Sequence, residues 1–478
     1  MALKIDYQLT PQTLVPRIER LFDLSARKIL SLEKSWGTRG GAPVFTVRGR
    51  YTAREWTAWT QGFQFGSALL QFDATSDERF LELGRRRTIA AMAPHVSHIG
   101  VHDHGFNNIS TYGNLLRLMR EGRIPFNERE QDLYQMALKV SGAVQAARWS
   151  TVQDGTGFIY SFNGPQSLFI DTMRSLRSLA VAHQLGHVLM GEQDQRISLL
   201  DRLLQHALNT ARFSVYYGNG RDGYDVRGRV AQESIFNPNN GDYRCPSSQQ
   251  GYSPFTTWTR GLAWAISGFA EQLEFLESLP SPESRRPSTL TIPDSRRPAR
   301  ARQKPRPPAE VLLQAALATA DFYLESTCAD GIPMWDTHAP NLHRLPANFP
   351  DRPADPFNTW EPVDSSAAAI TAQGLLRLGR HLRGRGNSQK AARYRQAGLT
   401  IARTIFSEPY LSTAPAHQGL LLHSVYHRPK AWDYIAPGQQ VPNGESSMWG
   451  DYHARELALL LLRAARGECY LTFFGGCQ

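Results

Sequence analysis

The feature that most constrains this chain is the period of its apolar residues, which is helical almost from end to end. Residues 130–148 (EQDLYQMALKVSGAVQAAR) place Leu133, Met136, Ala137, Val140 and Val144 on one face at helical spacing. Segments 12–34, 53–72, 76–93, 109–121, 171–190, 196–214, 260–277, 310–326, 364–382, 388–406 and 451–466 read the same way. No run of alternating strands interrupts them. Asp364-Ser365 ahead of AAAITAQGLLRLGRHL is a helix start: a capping carboxylate followed by strong helix formers. The connections alternate between short and long, and the long ones (217–259, 328–363, 407–450) are rich in Gly, Pro, Asn and aromatics. This predicts a large all-α domain of helical hairpins set in a ring, with the long loops at one mouth. A solenoid is the competing arrangement, but there is no fixed repeat period.

One segment departs from the pattern. Residues 280–309 (PSPESRRPSTLTIPDSRRPARARQKPRPPA) hold eight prolines, seven Arg and one Lys against Glu283 and Asp294, a net charge of +6. The prolines forbid a helix through it, so it reads as a disordered, basic surface insertion. The chain carries a net +10, and setting this segment aside leaves only +4. The basic balance therefore belongs to a tether and does not describe a nucleic-acid-binding face. Cys245, Cys328, Cys469 and Cys477 are widely spaced, without a CxxC pair or metal-ligand spacing. That argues against a disulfide framework or zinc site and points to a reducing compartment. With no apolar leader at the N-terminus and no run long enough to cross a bilayer, the expected location is cytoplasmic, away from membranes.

Several short stretches combine acids, amides, aromatics and glycines where packing would not ask for them. In His102-Asp103-His104-Gly105-Phe106 the histidines are too close in sequence to converge easily on one metal ion, and a capping Asp with loop histidines explains the stretch equally well. In Phe169-Ile170-Asp171-Thr172-Met173, Asp171 opens a helix, so it is either an N-cap or a proton donor. The second role needs a raised pKa, against the helix N-terminus, through burial or a nearby carboxylate such as Asp103. Arg260 and Trp264, in Trp258-Thr259-Arg260-Gly261-Leu262-Ala263-Trp264, share a helical face near its start. They are either a carboxylate seat or a surface cation–π pair. Asp364–Ala369 and Gly444–Tyr452 read as architecture, loops leading into closely packed helices.

Taken in order, WTQGF (Trp59–Phe63), HDHGF, FIDTM, QGY (Gln250–Tyr252), WTRGLAW, DSSAAAI and SSMWGDY resemble glycoside hydrolase family 88, the unsaturated glucuronyl hydrolases, from about residue 50 to residue 465. The resemblance implies one (α/α)6 barrel catalytic domain over residues 1–478, carrying the 280–309 insertion. It implies release of a 4,5-unsaturated uronic acid from the non-reducing end of lyase-generated oligosaccharides, by hydration of a vinyl ether and without a cofactor or metal. By motif, Asp171 is the acid/base and Asp103 its assistant. His102, Gln250 and Arg260 are substrate binders, and Trp59 and Trp264 are ring-stacking walls. The family pattern leads one to expect a histidine upstream of QGY, where spacing points to Gln232, placing a usual substrate contact in doubt. RGLAW is nearer the RGQAW of this family than the RGNGW of the unsaturated rhamnogalacturonyl hydrolases. A sugar isomerase or epimerase on a similar barrel, working through histidine pairs, is an alternative, as is a non-catalytic carbohydrate-binding relative.

Overall fold

The computed structural model describes residues 3–36, 41–54, 58–280 and 306–475. Residues 281–305, most of the basic proline-rich insertion, lie outside them. At its C-terminal side the stretch is helical from Pro308, where two prolines open a helix at the one place it tolerates them.

Twelve helices of the described residues build the barrel. They are α1 (Pro11–Trp36), α2 (Gln61–Thr75), α3 (Glu78–Ala91), α4, α5 (Glu128–Ala147), α6, α7 (Leu199–Phe213), α8 (Thr259–Ser278), α9 (Pro308–Ser326), α10 (Ser365–Gly384), α11 (Ser388–Ile405) and α12 (Met448–Arg466). Helix α4 runs from His104–Asn108 through a π-helical turn, Ile109–Gly113, into Asn114–Arg120. Helix α6 is Thr172–Ser175 joined at Leu176 to Arg177–Gln184. The even-numbered helices close a ring in which each touches the next: α2, α4, α6, α8, α10, α12 and back to α2. Each odd-numbered helix packs outside an even one. This is an (α/α)6 barrel, and burial divides the two layers. Residues 259–276 of α8 and 448–463 of α12 are buried all round, whereas α3 buries only Phe80, Leu81, Gly84 and Thr88.

The helix starts follow capping chemistry. Asp77, Asn127, Ser198, Asp364, Asn387 and Ser447 each accept a backbone N–H of the first turn. Two sequence expectations are corrected. The helix expected over 53–72 begins only at Gln61, because Arg50–Ala53 pairs as a strand with Pro43–Val47. The Thr60 hydroxyl then ties the turn to the Pro43 carbonyl at 2.9 Å. In α5 the apolar face read from the sequence is only partly buried: Leu133 and Met136 are exposed and Ala137 is buried, while Tyr134, Leu138, Ser141, Gly142, Gln145 and Ala146 complete the inward face. Close approach decides this, since a Cβ on Gly142 would lie 2.5 Å from Ala182 Cβ and 2.8 Å from the Ser178 carbonyl.

The inner ring is held by buried charge. Arg174 of α6 meets Glu271 of α8 at 2.7 Å and Glu456 of α12 at 2.8 Å. Arg377 of α10 meets Glu274 of α8 at 2.7 Å and Glu271 at 3.7 Å, while Arg177 lies 3.7 Å from both Glu271 and Glu456. Three cations thus face three carboxylates across four inner helices. Burial raises the pKa of Glu456, but Arg174 and Arg177 outweigh it and hold the carboxyl down at about 2. A second cluster, Asp73 of α2 with Arg117 of α4 and Arg463 of α12 at 2.7 Å each, completes the circuit.

Removing one partner leaves an uncompensated buried charge. Glu271→Leu is expected to destabilise the fold by about 3–5 kcal/mol, read as a fall in the urea unfolding midpoint; an unchanged midpoint would mean that the network contributes nothing to ring closure.

Candidate active site

A cleft of about 540 Å³ opens over the N-terminal ends of the inner helices. Each of those ends places a side chain in or under it. Trp59 precedes α2, Asp103 precedes α4, Asp171 precedes α6, and Arg260 is the second residue of α8. Asp364 caps α10 and Trp449 is the second residue of α12, and both touch Arg260 from below.

A small antiparallel sheet, Ser167–Phe169 with Glu233–Phe236 and Tyr243–Ser247, supports one wall. Its register aligns Phe169, Glu233 and Ser247, so Asp171 and Gln249-Gln250 leave the sheet at the same end. Gln232 enters the sheet there, its carbonyl accepting the Ile170 N–H at 2.9 Å.

Both aspartates occupy N-cap positions, yet neither side chain caps its helix. Neither carboxyl is spent on helix capping. Asp171 Oδ1 is buried without a hydrogen-bond partner. Burial lifts the Asp171 pKa to about 7, against the pull of Arg260 and its own backbone N–H. Burial and the charge of Asp171 lift Asp103 to about 7, with Arg148 opposing. Desolvation therefore wins over the helix termini, and two coupled carboxyl groups share the cleft floor near neutrality. His102 Nε2 lies 3.7 Å from Asp103 Oδ1, its ring stacked on Phe162 and edge-on to Phe169. Burial holds that imidazole neutral, well below its ordinary pKa.

The remaining candidates divide. Trp59 lines the cleft, stacked on Trp449 with centroids 5.1 Å apart, and Trp264 lines it against Phe106. The face shared by Arg260 and Trp264 gives no cation–π contact between them; the guanidinium lies between Trp258 and Trp449 instead. Arg260 is also largely spent within the protein. It donates to the Val425 carbonyl, to the Tyr426 carbonyl at 2.8 Å and to Gln250 Oε1 at 2.7 Å, and sits 3.5 Å from Asp364. Only its Nε is left without an acceptor. Gln250 lines the cleft with its Oε1 committed to Arg260. Gln232 is not brought to the cleft lining. Its Oε1 accepts from Ser248 Oγ at 3.0 Å, Gln249 N at 2.7 Å and Gln250 N at 2.9 Å, holding the turn that presents the two glutamines.

Sequence reasoning gave no role to Phe106, Phe162, Trp258, Gln249, Tyr426, His427 and Trp432, which also line the cleft. Tyr426, His427 and Trp432 come from the long loop before α12, where Asp433 accepts the Tyr426 and His427 backbone N–H groups. The aromatic richness of that loop was the available signal. Among the described residues no three His, Cys, Asp or Glu side chains converge as a metal site. None of their helices is long and apolar enough to cross a membrane.

The two carboxyls carry a stability signature. A raised folded-state pKa contributes stability that is present below about pH 4 and lost as pH rises through about 7. Asp171→Asn is therefore expected to unfold at a higher urea midpoint than the unsubstituted protein at pH 8.5, by at least about 1 kcal/mol, and at the same midpoint at pH 4. Equal midpoints at both pH values would mean that Asp171 titrates as an ordinary surface carboxyl.

No family model matches the chain. It is 25% identical over 429 residues to the unsaturated glucuronyl hydrolase of Bacillus sp. (strain GL1), covering 88% of this chain and 90% of that protein. It is 23% identical over 407 residues to the unsaturated glucuronyl hydrolase of Formosa agariphila, covering 83% and 78%. The crystal structure of the Bacillus sp. GL1 unsaturated glucuronyl hydrolase, described as responsible for glycosaminoglycan degradation, superimposes with a TM-score of 0.67 over 94% of this chain and 96% of that one, at 22% identity. The chain is thus similar in sequence over most of its length to two unsaturated glucuronyl hydrolases, and it shares the fold of one of them over nearly all of it.

Proposed function

We propose that this protein releases a 4,5-unsaturated uronic acid from the non-reducing end of oligosaccharides left by a polysaccharide lyase. The observation that carries the reading is the pair of uncapped, desolvated carboxyls, Asp103 and Asp171, on the floor of an aromatic cleft. A carboxyl with a pKa near 7 still holds its proton in part of the population at neutral pH, and its conjugate base is strong enough to take one back. The aromatic walls suit the faces of a pyranose ring. The N-terminal ends of the inner helices surrounding the cleft favour the uronate carboxylate. The glycosaminoglycan role of the Bacillus relative points to the same substrate class.

In this mechanism Asp171 donates its proton to C4 of the vinyl ether, and water adds at C5. The water gives its proton to the Asp171 carboxylate, restoring the acid. The hemiketal so formed opens and releases the aglycone. Burial keeps Asp171 partly protonated, Asp103 stands beside it as a second raised carboxyl that assists the acid, and Gln249 and Gln250 offer amides to the sugar. Arg260 acts mainly by fixing Gln250 and the Tyr426 loop, with its Nε as the remaining donor. The isomerase alternative needs histidines that take up and give back protons. His102 and His427 line the cleft but are held neutral by burial, His427 at about 4, which disfavours them as acids. Cys245 and Cys328 are free thiols, whereas Cys469 is disulfide-bonded, which departs from the reducing compartment expected from the cysteine spacing.

The test follows the near-ultraviolet absorbance of the conjugated uronate across a panel of lyase-generated disaccharides. The unsubstituted protein is expected to bleach at least one member. Asp171→Asn should lower kcat by about 10²–10⁴ or more, and kcat/KM should fall as pH rises above about 7 because the acid is lost. A folded protein that bleaches nothing would overturn the reaction; a fully active Asp171→Asn would overturn the role of Asp171.

A further inference from the structure

The carboxyls of Asp103 and Asp171 come from different inner helices, so something must fix their separation. The Ser175 hydroxyl is placed to do so. Ser175 is buried and lies one helical turn after Asp171, in the segment that Asp171 opens. Its Oγ donates to the His102 carbonyl at 2.6 Å and accepts the Gly105 N–H at 2.9 Å. Those two groups flank Asp103 in the chain. The Oγ also accepts Gln145 Nε2 at 3.1 Å, and the same amide reaches the His102 carbonyl at 2.9 Å. One donor and two acceptor positions exhaust the valence of a hydroxyl. The contact is close in backbone as well: a Cβ on Gly105 would sit 2.2 Å from the Ser175 carbonyl oxygen. The glycine of HDHGF is thus required by the backbone at position 175.

We propose that Ser175 is a positioning residue, its hydroxyl setting the register of the Asp103 turn against the Asp171 helix and so the spacing of the two carboxyls. The proposal rests on the reading of Asp103 and Asp171 as the reacting pair. It adds a residue that touches no substrate and does not line the cleft. The other groups acting on the pair are Arg148, His102 and Tyr426 around Asp103, and Arg260 beside Asp171. None of these four side chains bonds to both chain segments. Arg177 Nη2 also reaches the Gly105 carbonyl at 3.2 Å, and Gln145 bridges the segments through Ser175 itself. The Ser175 hydroxyl is therefore the link that holds both the His102 carbonyl and the Gly105 N–H. Loosening the Ser175 contact would separate the carboxyls and admit water, which weakens both causes of the raised Asp103 pKa and the burial that raises Asp171. The protonated acid would then be lost at lower pH.

The experiment compares the unsubstituted protein, Ser175→Ala and Ser178→Ala. Ser178 is equally buried and its hydroxyl binds Gln145, but it makes no bond to the Asp103 turn. Two readouts are taken: the pH profile of kcat and KM on the best disaccharide, and the titration of the aspartate carboxyls followed by carbon-13 NMR, which needs no turnover. For Ser175→Ala, kcat is expected to fall about 10- to 100-fold with KM little changed. The alkaline limb and the Asp103 titration should both move to lower pH, while Ser178→Ala moves neither. Ser175→Cys is carried in parallel should the alanine variant fail to fold. A pH profile and titration unmoved in either Ser175 variant, whatever the loss of stability, would reduce Ser175 to a structural brace and overturn the proposal. If the unsubstituted protein turns over no disaccharide but the titration still shifts in Ser175→Ala, the positioning role stands and the substrate reading fails.

Discussion

Everything in this molecule depends on closing six inner helices around an axis that cannot be filled with apolar side chains alone. The described interior answers with arginine–carboxylate clusters. Arg174, Arg177 and Arg377 face Glu271, Glu274 and Glu456, while Asp73 ties Arg117 to Arg463. Such pairs are costly to desolvate and do not by themselves make a fold more stable than a well-packed apolar core. What they supply is orientation. A cation on α6 that must meet carboxylates on both α8 and α12 leaves little freedom in how those helices are turned.

That orientation is what builds the cleft. With the inner helices clamped along the axis, their N-terminal ends gather at one mouth, and the residues at those ends become neighbours although they lie hundreds of positions apart. Glycines complete the approach at two points. A Cβ on Gly62 would lie 2.3 Å from the Asn107 carbonyl oxygen, and one on Gly105 would strike the Ser175 backbone. These contacts bring Trp59 and Asp103 over the same floor as Asp171. The site is therefore the top layer of the barrel closure, finished by the sheet that carries Gln249-Gln250 and by the Tyr426–Trp432 loop.

Particular residues mark how far the sequence was legible. Asp103, Asp171, Trp59, Gln250, Arg260 and Trp264 all reach the cleft lining, because short motifs at helix starts keep their identity wherever the helix is placed. Gln232 does not, since its side chain is turned back into hydrogen bonds with residues 248–250. The resemblance makes Arg260 a substrate binder, but loop carbonyls that no local pattern announces occupy most of its donors. Asp364 and Trp449, read as architecture, also shape the floor by pairing with and stacking under Arg260. In α5, Leu133 and Met136 share the apolar face read from the sequence, yet both are exposed, and the helix buries Gly142 and Ser141. Hydrophobicity counts apolar surface, whereas close helix packing selects small residues.

The sequence by itself determined the helices, their caps, their alternation with long loops and the order of the motifs, because these depend on interactions within a few residues. Only the tertiary structure decided that neither aspartate caps its helix and that both are desolvated beside one another. It alone decided that Arg260 is a strut as much as a ligand and that one serine hydroxyl joins the two acidic turns. Those properties arise from burial and from contacts between segments distant in the chain, and neither has a value until the ring is closed.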